Sequence, residues 1–225
     1  MSIKTPLTAR ALKNHFTYGS WKYLLLVIVA VFGWNLIYTT TQYRPPDDKK
    51  IDFYVASSSV DSAALNAWLE AARVSDFPDM ELIDLYTILE GGEDYAAQMQ
   101  LSTYIMAGEG DVYLLEEDRF KSFAAQGAML PLDQYVADGT IGTQGFDLSS
   151  GYVTIEETGE RALVGISADN LFGFINHFKV DCRGKVLCVT VRSGNEEKAV
   201  KFVDYLLKHM QEPAPDWLTT PVQQP

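Results

Sequence analysis

The chain has few of the residues that build reactive or metal centres. Its 225 residues include two cysteines and three histidines. Cys182 and Cys188 are spaced too widely for a C-x-x-C pair, and His15, His177 and His209 stand apart from them and from each other. A zinc site is therefore not expected. There is no G-x-S-x-G nucleophile elbow. Gly108-Glu109-Gly110 is not followed by the Lys-Ser/Thr pair of a phosphate loop. No catalytic residue, metal or cofactor is assigned, and a non-enzymatic role is expected. Positive charge is also scarce: 18 Lys and Arg stand against 30 Asp and Glu, for a net charge of -12. Lys4, Arg10, Lys13 and Lys22 precede residue 23, where there is no acid, so 14 of the 18 basic residues and all 30 acidic ones follow it. Nucleic acid demands a basic face for its phosphates, which the main domain lacks. The acidity reads first as a solubility device.

What is present begins with an uncharged apolar run, Tyr23–Tyr38. At about 1.5 Å per residue it covers roughly 24 Å as a helix, a little short of the roughly 30 Å hydrocarbon core of a bilayer. Trp21 and Thr39–Thr41 extend it to a usable span. Trp21, Tyr23, Tyr38 and Tyr43 stand where interfacial aromatics anchor both ends. A cleaved signal peptide needs small residues at its cut site, and the following TTTQYRPP has no A-x-A pattern. A lipoprotein needs a cysteine just after the apolar run, and the first is Cys182. A buried core helix would not carry aromatics at both ends and then a linker. The reading adopted is an uncleaved single-pass anchor in membrane lipid, with its basic N-terminus cytoplasmic and the main domain extracellular. The expected organisation is a cytoplasmic segment (1–22), a signal anchor (23–41), a linker stiffened by Pro45 and Pro46 (42–50), an external domain (51–211) and a loose Pro-rich tail (212–225).

Within the external domain, strands are expected at Ile51–Ala56, Met80–Leu85 and Val112–Leu115. Helices are expected after Asp61 or Ser62, over Asp94–Ala107 and over Glu117–Gln126. The first has Ala64, Leu65, Trp68, Leu69 and Ala72 as its apolar positions, and the second Tyr95, Met99, Ser102 and Met106. The third ends at Gly127. This β-α-β-α-β-α alternation predicts a doubly wound, mostly parallel sheet with helices on both faces. Further along, Tyr152–Ile155 and Arg161–Ile166 flank EETGE as a hairpin. Leu171–Asn176 and Val186–Val191 are strand candidates. Asn195–Met210 is a last helix buried through Ala199, Phe202, Val203, Leu206 and Leu207.

Ala125, Gly127, Leu130, Pro131, Leu132, Asp133 and Tyr135 follow a strand that carries Gly110-Asp111-Val112. Together they resemble a phrase in the first lobe of bacterial extracellular solute-binding proteins, the capture subunits of ABC importers. Arg161–Asn176 (RALVGISADNLFGFIN) looks like that family's crossing between lobes. Val189–Lys208 looks like the helix that packs back on the first lobe. The resemblance implies a periplasmic-binding-protein-like lobe, but only 12 residues separate Asn176 from Val189, where a second lobe would lie. The fold expected is thus α/β, a single lobe plus one N-terminal transmembrane helix. The function expected is a binding or accessory protein acting through protein contacts, beside an ABC permease or a solute-binding protein. The alternative is weak direct capture of a small, sugar-like solute.

Open α/β sheets bind ligands at the carboxyl ends of their strands. The ligand-face candidates are Ser57, Ser58, Ser59, Asp61, Tyr86, Glu116, Glu117, Asp169 and Asn170, each of which, taken singly, reads more readily as a cap or a solvated loop residue. Glu116, Glu117 and Asp118 also read as a helix start favoured by the macrodipole. Cys182 and Cys188 are expected to form a disulfide outside the membrane, worth roughly 2 kcal/mol for so small a loop. The alternative is two free, buried thiols.

Overall fold

The computed structural model describes residues 9–41, 43, 45–89, 95–191 and 194–219. Lys4, Arg44, the expected helix start at Asp94 and the last six residues lie outside them. The chain divides into two compact units, Met1–Arg44 and Pro45–Pro225.

The first unit holds one helix, α1 (Ala9–Thr41). It is longer than the expected 23–41 span because no proline interrupts residues 7–44. Trp21–Thr41 is long and apolar enough to cross a membrane, and none of it is buried within the chain. At its end the hydroxyls of Thr39, Thr40 and Thr41 donate back to carbonyls of Asn35, Leu36 and Ile37. Polar side chains at the helix end are thereby satisfied internally.

The second unit is a sheet covered on both faces. Its elements are β1 (Lys50–Ser57), α2 (Ser62–Asp76), β2 (Leu82–Leu89), α3 (Tyr95–Ala107), β3 (Val112–Glu116), α4 (Glu117–Ala125), α5 (Asp133–Ala137), β4 (Tyr152–Thr154), β5 (Arg161–Leu163), β6 (Gly165–Ser167), α6 (Gly173–Phe178), β7 (Lys185–Val189), α7 (Glu196–Met210) and α8 (Asp216–Thr219). The strand order is β2-β1-β3-β7-β6, with β4 and β5 as a separate antiparallel pair. β1 runs parallel to β2 and β3, and β7 is antiparallel to both β3 and β6. Only β7 is therefore reversed, and the sheet is mostly parallel.

Side-chain alternation sets the two cores. Ile51, Phe53 and Val55 of β1, Val112 and Leu114 of β3, and Leu187 and Val189 of β7 face Leu65 and Leu69 of α2 and Phe202, Val203 and Leu206 of α7. Tyr54, Ala56, Tyr113, Leu115, Val186 and Cys188 face Leu101 and Ile105 of α3 and Phe120 and Ala124 of α4. Phe53 meets Phe202 edge-on at 5.6 Å.

Four expectations are corrected. β2 begins two residues later and ends four residues later than Met80–Leu85, because it pairs with all eight residues of β1 from Lys50↔Leu82 to Ser57↔Leu89. Leu171–Asn176 is not a strand: Leu171, Phe174 and Phe178 are buried at helical spacing, and α6 forms instead. A short apolar run does not separate the two by periodicity. In α3 the buried positions are Leu101 and Ile105, while Tyr95, Met99 and Met106 are exposed. This helix is apolar around most of its circumference, so its own pattern does not select the inner face. Finally, the tail is docked at its start. Glu212 bridges to Leu171 and accepts from Asn176 at 2.9 Å, and Pro213 O accepts from the same amide at 3.3 Å.

Candidate functional site

The carboxyl edge of the sheet carries most of the sequence-derived candidates, and their polar groups are largely occupied by neighbouring groups of the same domain. Ser57 is buried, and its hydroxyl donates to Ser59 O at 3.0 Å. Ser58 and Ser59 are exposed. Asp61 caps α2, where Oδ1 accepts from Ala64 N at 3.2 Å, and Oδ2 lies 3.7 Å from Lys179 Nζ. Asp169 accepts from Ser167 Oγ at 2.9 Å and from Gly184 N at 2.7 Å. Asn170 donates to Gly145 O at 3.0 Å. Glu116 closes β3 and lies 3.9 Å from Arg119, and Glu117 pairs with Lys121 at 2.5 Å in the first turn of α4. Between these groups Lys185, buried at the start of the reversed β7, donates to Ala56 O. Sequence reasoning missed Lys185, because its role follows from the direction of β7.

The expected disulfide does not form. Cys182 and Cys188 are both free and buried. Cys188 sits within β7 facing α3 and α4, whereas Cys182 belongs to the core on the opposite side. The sheet thus separates the two thiols. Cys182 Sγ donates to Leu171 O and Cys188 Sγ to Tyr113 O. Burial pushes the Cys182 thiol up to about 12, and burial alone raises Cys188 further.

Tyr86 is not at a strand end. Because β2 continues to Leu89, Tyr86 is mid-strand and helps line a cleft of about 440 Å³ at the opposite, amino edge. Two rows of side chains run across the sheet here, and Tyr54, Tyr86, Asp52 and Asp111 from them line the cleft. Tyr86, Tyr54 and Tyr113 lie level on β2, β1 and β3. Their rings stack with centroids 4.6 Å apart in each pair and interplanar angles of 11° and 15°. That separation is close to the strand spacing itself. Tyr104 of α3 packs on Tyr54 at 5.5 Å. One level nearer the edge, Asp52 pairs with Asp84 across β1 and β2. Asp111 precedes Val112, which pairs with Phe53, so it lies level with Asp52 on the other side. Asp111 Oδ2 accepts from Asp52 N at 2.7 Å, and Asp111 N donates to Asp52 O at 3.0 Å.

Lys50 reaches into this aspartate row. Lys50 Nζ lies 2.9 Å from Asp52 Oδ2 and 3.3 Å from Asp47 Oδ1. Burial opposes the ammonium, but the two carboxylates outweigh it and push Lys50 up to about 12. Burial raises Asp52 above the ordinary carboxylate range, Lys50 pulls it back, and the charges of Asp84 and Asp47 add to the rise. Asp52 is 8% exposed, and its Oδ1 receives no hydrogen bond from the described residues. Burial, with help from Asp52 and Asp84, pushes Tyr86 up to about 12. Gly110 seals the cleft's floor at φ 82°, where a Cβ would lie 2.5 Å from the Tyr54 ring. The signal for this site was present in the sequence as the alternating Lys50, Asp52, Tyr54 of one strand and Asp84, Tyr86 of the next, but it needs the strand register to be seen.

No protein-family profile matches the chain, and no curated protein matches it. Solved structures similar to it are solute-binding proteins. One is an extracellular solute-binding protein family 1 member from Alicyclobacillus acidocaldarius, at 18% identity and TM-score 0.40, covering 56% of this chain and 29% of that one. Another is an ABC substrate-binding protein from Listeria monocytogenes in complex with cycloalternan, at 21% identity and TM-score 0.38, covering 52% and 28%. A third is an ABC transporter solute-binding protein from Agrobacterium vitis with bound D-mannitol, at 15% identity and TM-score 0.35, covering 52% and 26%. The chain therefore spans less than a third of the length of each of these neighbours, and about half of it is matched.

Proposed function

We propose that this chain is a membrane-anchored, extracellular, non-enzymatic binding or accessory protein. It is built on one solute-binding-protein-like lobe and acts through contacts with an ABC permease or a solute-binding protein. The observation that carries this reading is the state of the carboxyl edge. Asp61, Asp169, Asn170 and Glu117 already serve the lobe's own caps, turns and ion pairs. Only residues 179–184 connect α6 to β7, so no opposing lobe is inserted there to enclose a solute. An open, self-satisfied polar surface suits a protein partner better than a small molecule. Trp21–Thr41 supplies the anchor.

The test has two arms. Protease added to intact cells should remove the acidic domain, and protection of that domain would refute the topology. A photocrosslinker placed at Ser58 should join the chain to a co-expressed permease or binding protein. Absence of any adduct at Ser58, with a solute-specific rise in melting temperature, would refute the contact reading. A second reading, direct capture of a small solute, is favoured by the cleft at the amino edge.

A further inference from the structure

The apolar helix α1 carries one polar side chain that the chain itself does not satisfy. Asn35 is the only polar residue within Leu24–Ile37. It lies six positions before Thr41, about 9 Å inside the end of the Trp21–Thr41 stretch, and it is exposed. Its backbone carbonyl accepts from Thr39 Oγ1 at 2.9 Å, but its carboxamide makes no hydrogen bond among the described residues. The threonines beyond it differ, because each hydroxyl donates back into the helix. An amide without partners in hydrocarbon is costly, since no water is there to replace them. We propose that α1 pairs in parallel with α1 of a second copy of this chain, through reciprocal hydrogen bonds between the two Asn35 carboxamides. The proposal rests on the membrane-anchor reading above and gives that anchor a partner.

Three features select a second copy. First, a carboxamide both donates and accepts. Two of them satisfy each other about a twofold axis, where a charged side chain would repel its own image. Second, copies inserted in one orientation hold Asn35 at one depth, so the amides meet without any shift along the helix. Third, the residues on its face are spaced to seat a matching helix. Trp21, Leu24, Ile28, Val31, Asn35 and Tyr38 follow one another at steps of 3, 4, 3, 4 and 3. That is the seam of a left-handed parallel pair, and all six residues are exposed. Ile28 and Asn35 take its a positions, with Leu24 and Val31 at d. A branched residue at a and leucine at d suit two strands, and one asparagine at a fixes register and copy number. Gly33 lies about 160° around the helix from Asn35 and Leu26 about 180°, so neither belongs to this seam.

The test reconstitutes the full chain, labelled at its amino terminus with donor or acceptor dye, into phosphatidylcholine vesicles over a range of protein-to-lipid ratios. Energy transfer should rise saturably with that ratio. Asn35→Leu should move the midpoint to a ratio about 3- to 30-fold higher, the span expected for amide hydrogen bonds between membrane helices. Asn35→Gln keeps the carboxamide and should retain most of the association, and Gly33→Ala, on the far face, should leave it unchanged. Oxidative crosslinking in the same vesicles should join copies carrying Val31→Cys but not those carrying Leu26→Cys. The parent chain, whose two thiols are buried, is the blank. Undiminished association of Asn35→Leu, or its loss in Gly33→Ala with crosslinking at Leu26→Cys, would overturn the proposal. Alkaline carbonate extraction separates it from the anchor reading. Retention in the bilayer without saturable transfer would overturn the pairing and leave the anchor standing, whereas release of the chain would end both.

Discussion

Replacing Gly110 by Ala tests whether the tyrosine stack and the cleft floor are one packed unit. Gly110 has φ 82°, and an added Cβ would lie 2.5 and 2.7 Å from two Tyr54 ring carbons and 2.8 Å from the Tyr113 hydroxyl. The left-handed backbone alone costs a non-glycine residue roughly 1–2 kcal/mol. The contacts add an overpacking cost of about 1–3 kcal/mol, because the rings are pinned between neighbouring strands and cannot withdraw. The expected loss is therefore about 2–5 kcal/mol, a large part of a typical domain stability of about 5–15 kcal/mol. Gly139 supplies the internal control: its φ is 80°, and nothing lies within 4 Å of its Cβ position. Gly139→Ala should show the backbone cost without the clash. Urea unfolding of both variants, followed by tyrosine near-ultraviolet circular dichroism, gives the difference directly. If Gly110→Ala and Gly139→Ala lose the same stability within about 0.5 kcal/mol, the stacked rings do not press on Gly110 and the account of the cleft wall fails.

Other outcomes follow from the same packing. Phe202→Ala removes a fully buried ring that meets Phe53 at 5.6 Å and Phe77 at 5.9 Å, and should cost about 3–5 kcal/mol by thermal or urea unfolding. Cys182 and Cys188 should resist alkylation in the folded protein and react fully in denaturant; a disulfide on non-reducing mass analysis would contradict their placement on opposite sides of the sheet. Hydrogen bonds from Asn176 and His177 hold Glu212 below its ordinary value of 4.5. Stability from this contact is thus present above that value and is lost as the pH falls through the lower folded one. Hydrogen exchange around Leu171 should quicken over that acidic range, and Glu212→Gln should abolish the pH dependence.

The parts of the fold that the sequence discloses are those where periodicity and length agree. β1, β3 and α7 were expected within a residue or two, since each combines a clean pattern with a clear stop. α6 was misread because Leu171–Phe178 is a short apolar run whose period only the surrounding core can decide. The inner face of α3 was misread for the converse reason: Tyr95, Met99 and Met106 are as apolar as the residues it buries. The site was legible only in fragments. Lys50, Asp52 and Tyr54 alternate visibly, but their meeting with Asp84, Tyr86, Asp111 and Tyr113 depends on strand register, a long-range property. The disulfide failed on the same ground, because two cysteines six positions apart in sequence end on different faces of one sheet.

The reversal of β7 explains why the two edges of this sheet differ so sharply. A strand running against its neighbours puts its beginning at their carboxyl ends, so Lys185 and Gly184 arrive there with donors and acceptors to spend. Lys185 donates to Ala56 O, Gly184 N donates to Asp169, and Glu117 N donates to Gly184 O. These bonds tie the start of β7 to the carboxyl ends of its neighbours. Just past the end of β7, at the amino edge, Thr190 donates to Gly110 O and Asp111 O. The carboxylates of Asp84, Asp52 and Asp111 lie level across β2, β1 and the start of β3. Like charges placed directly across a sheet are destabilising. Lys50 supplies an opposing charge from β1 itself, and Asp52 Oδ1 has no donor among the described residues. The two edges of the sheet thus differ in their charge as well as in the direction of the strand that reaches them.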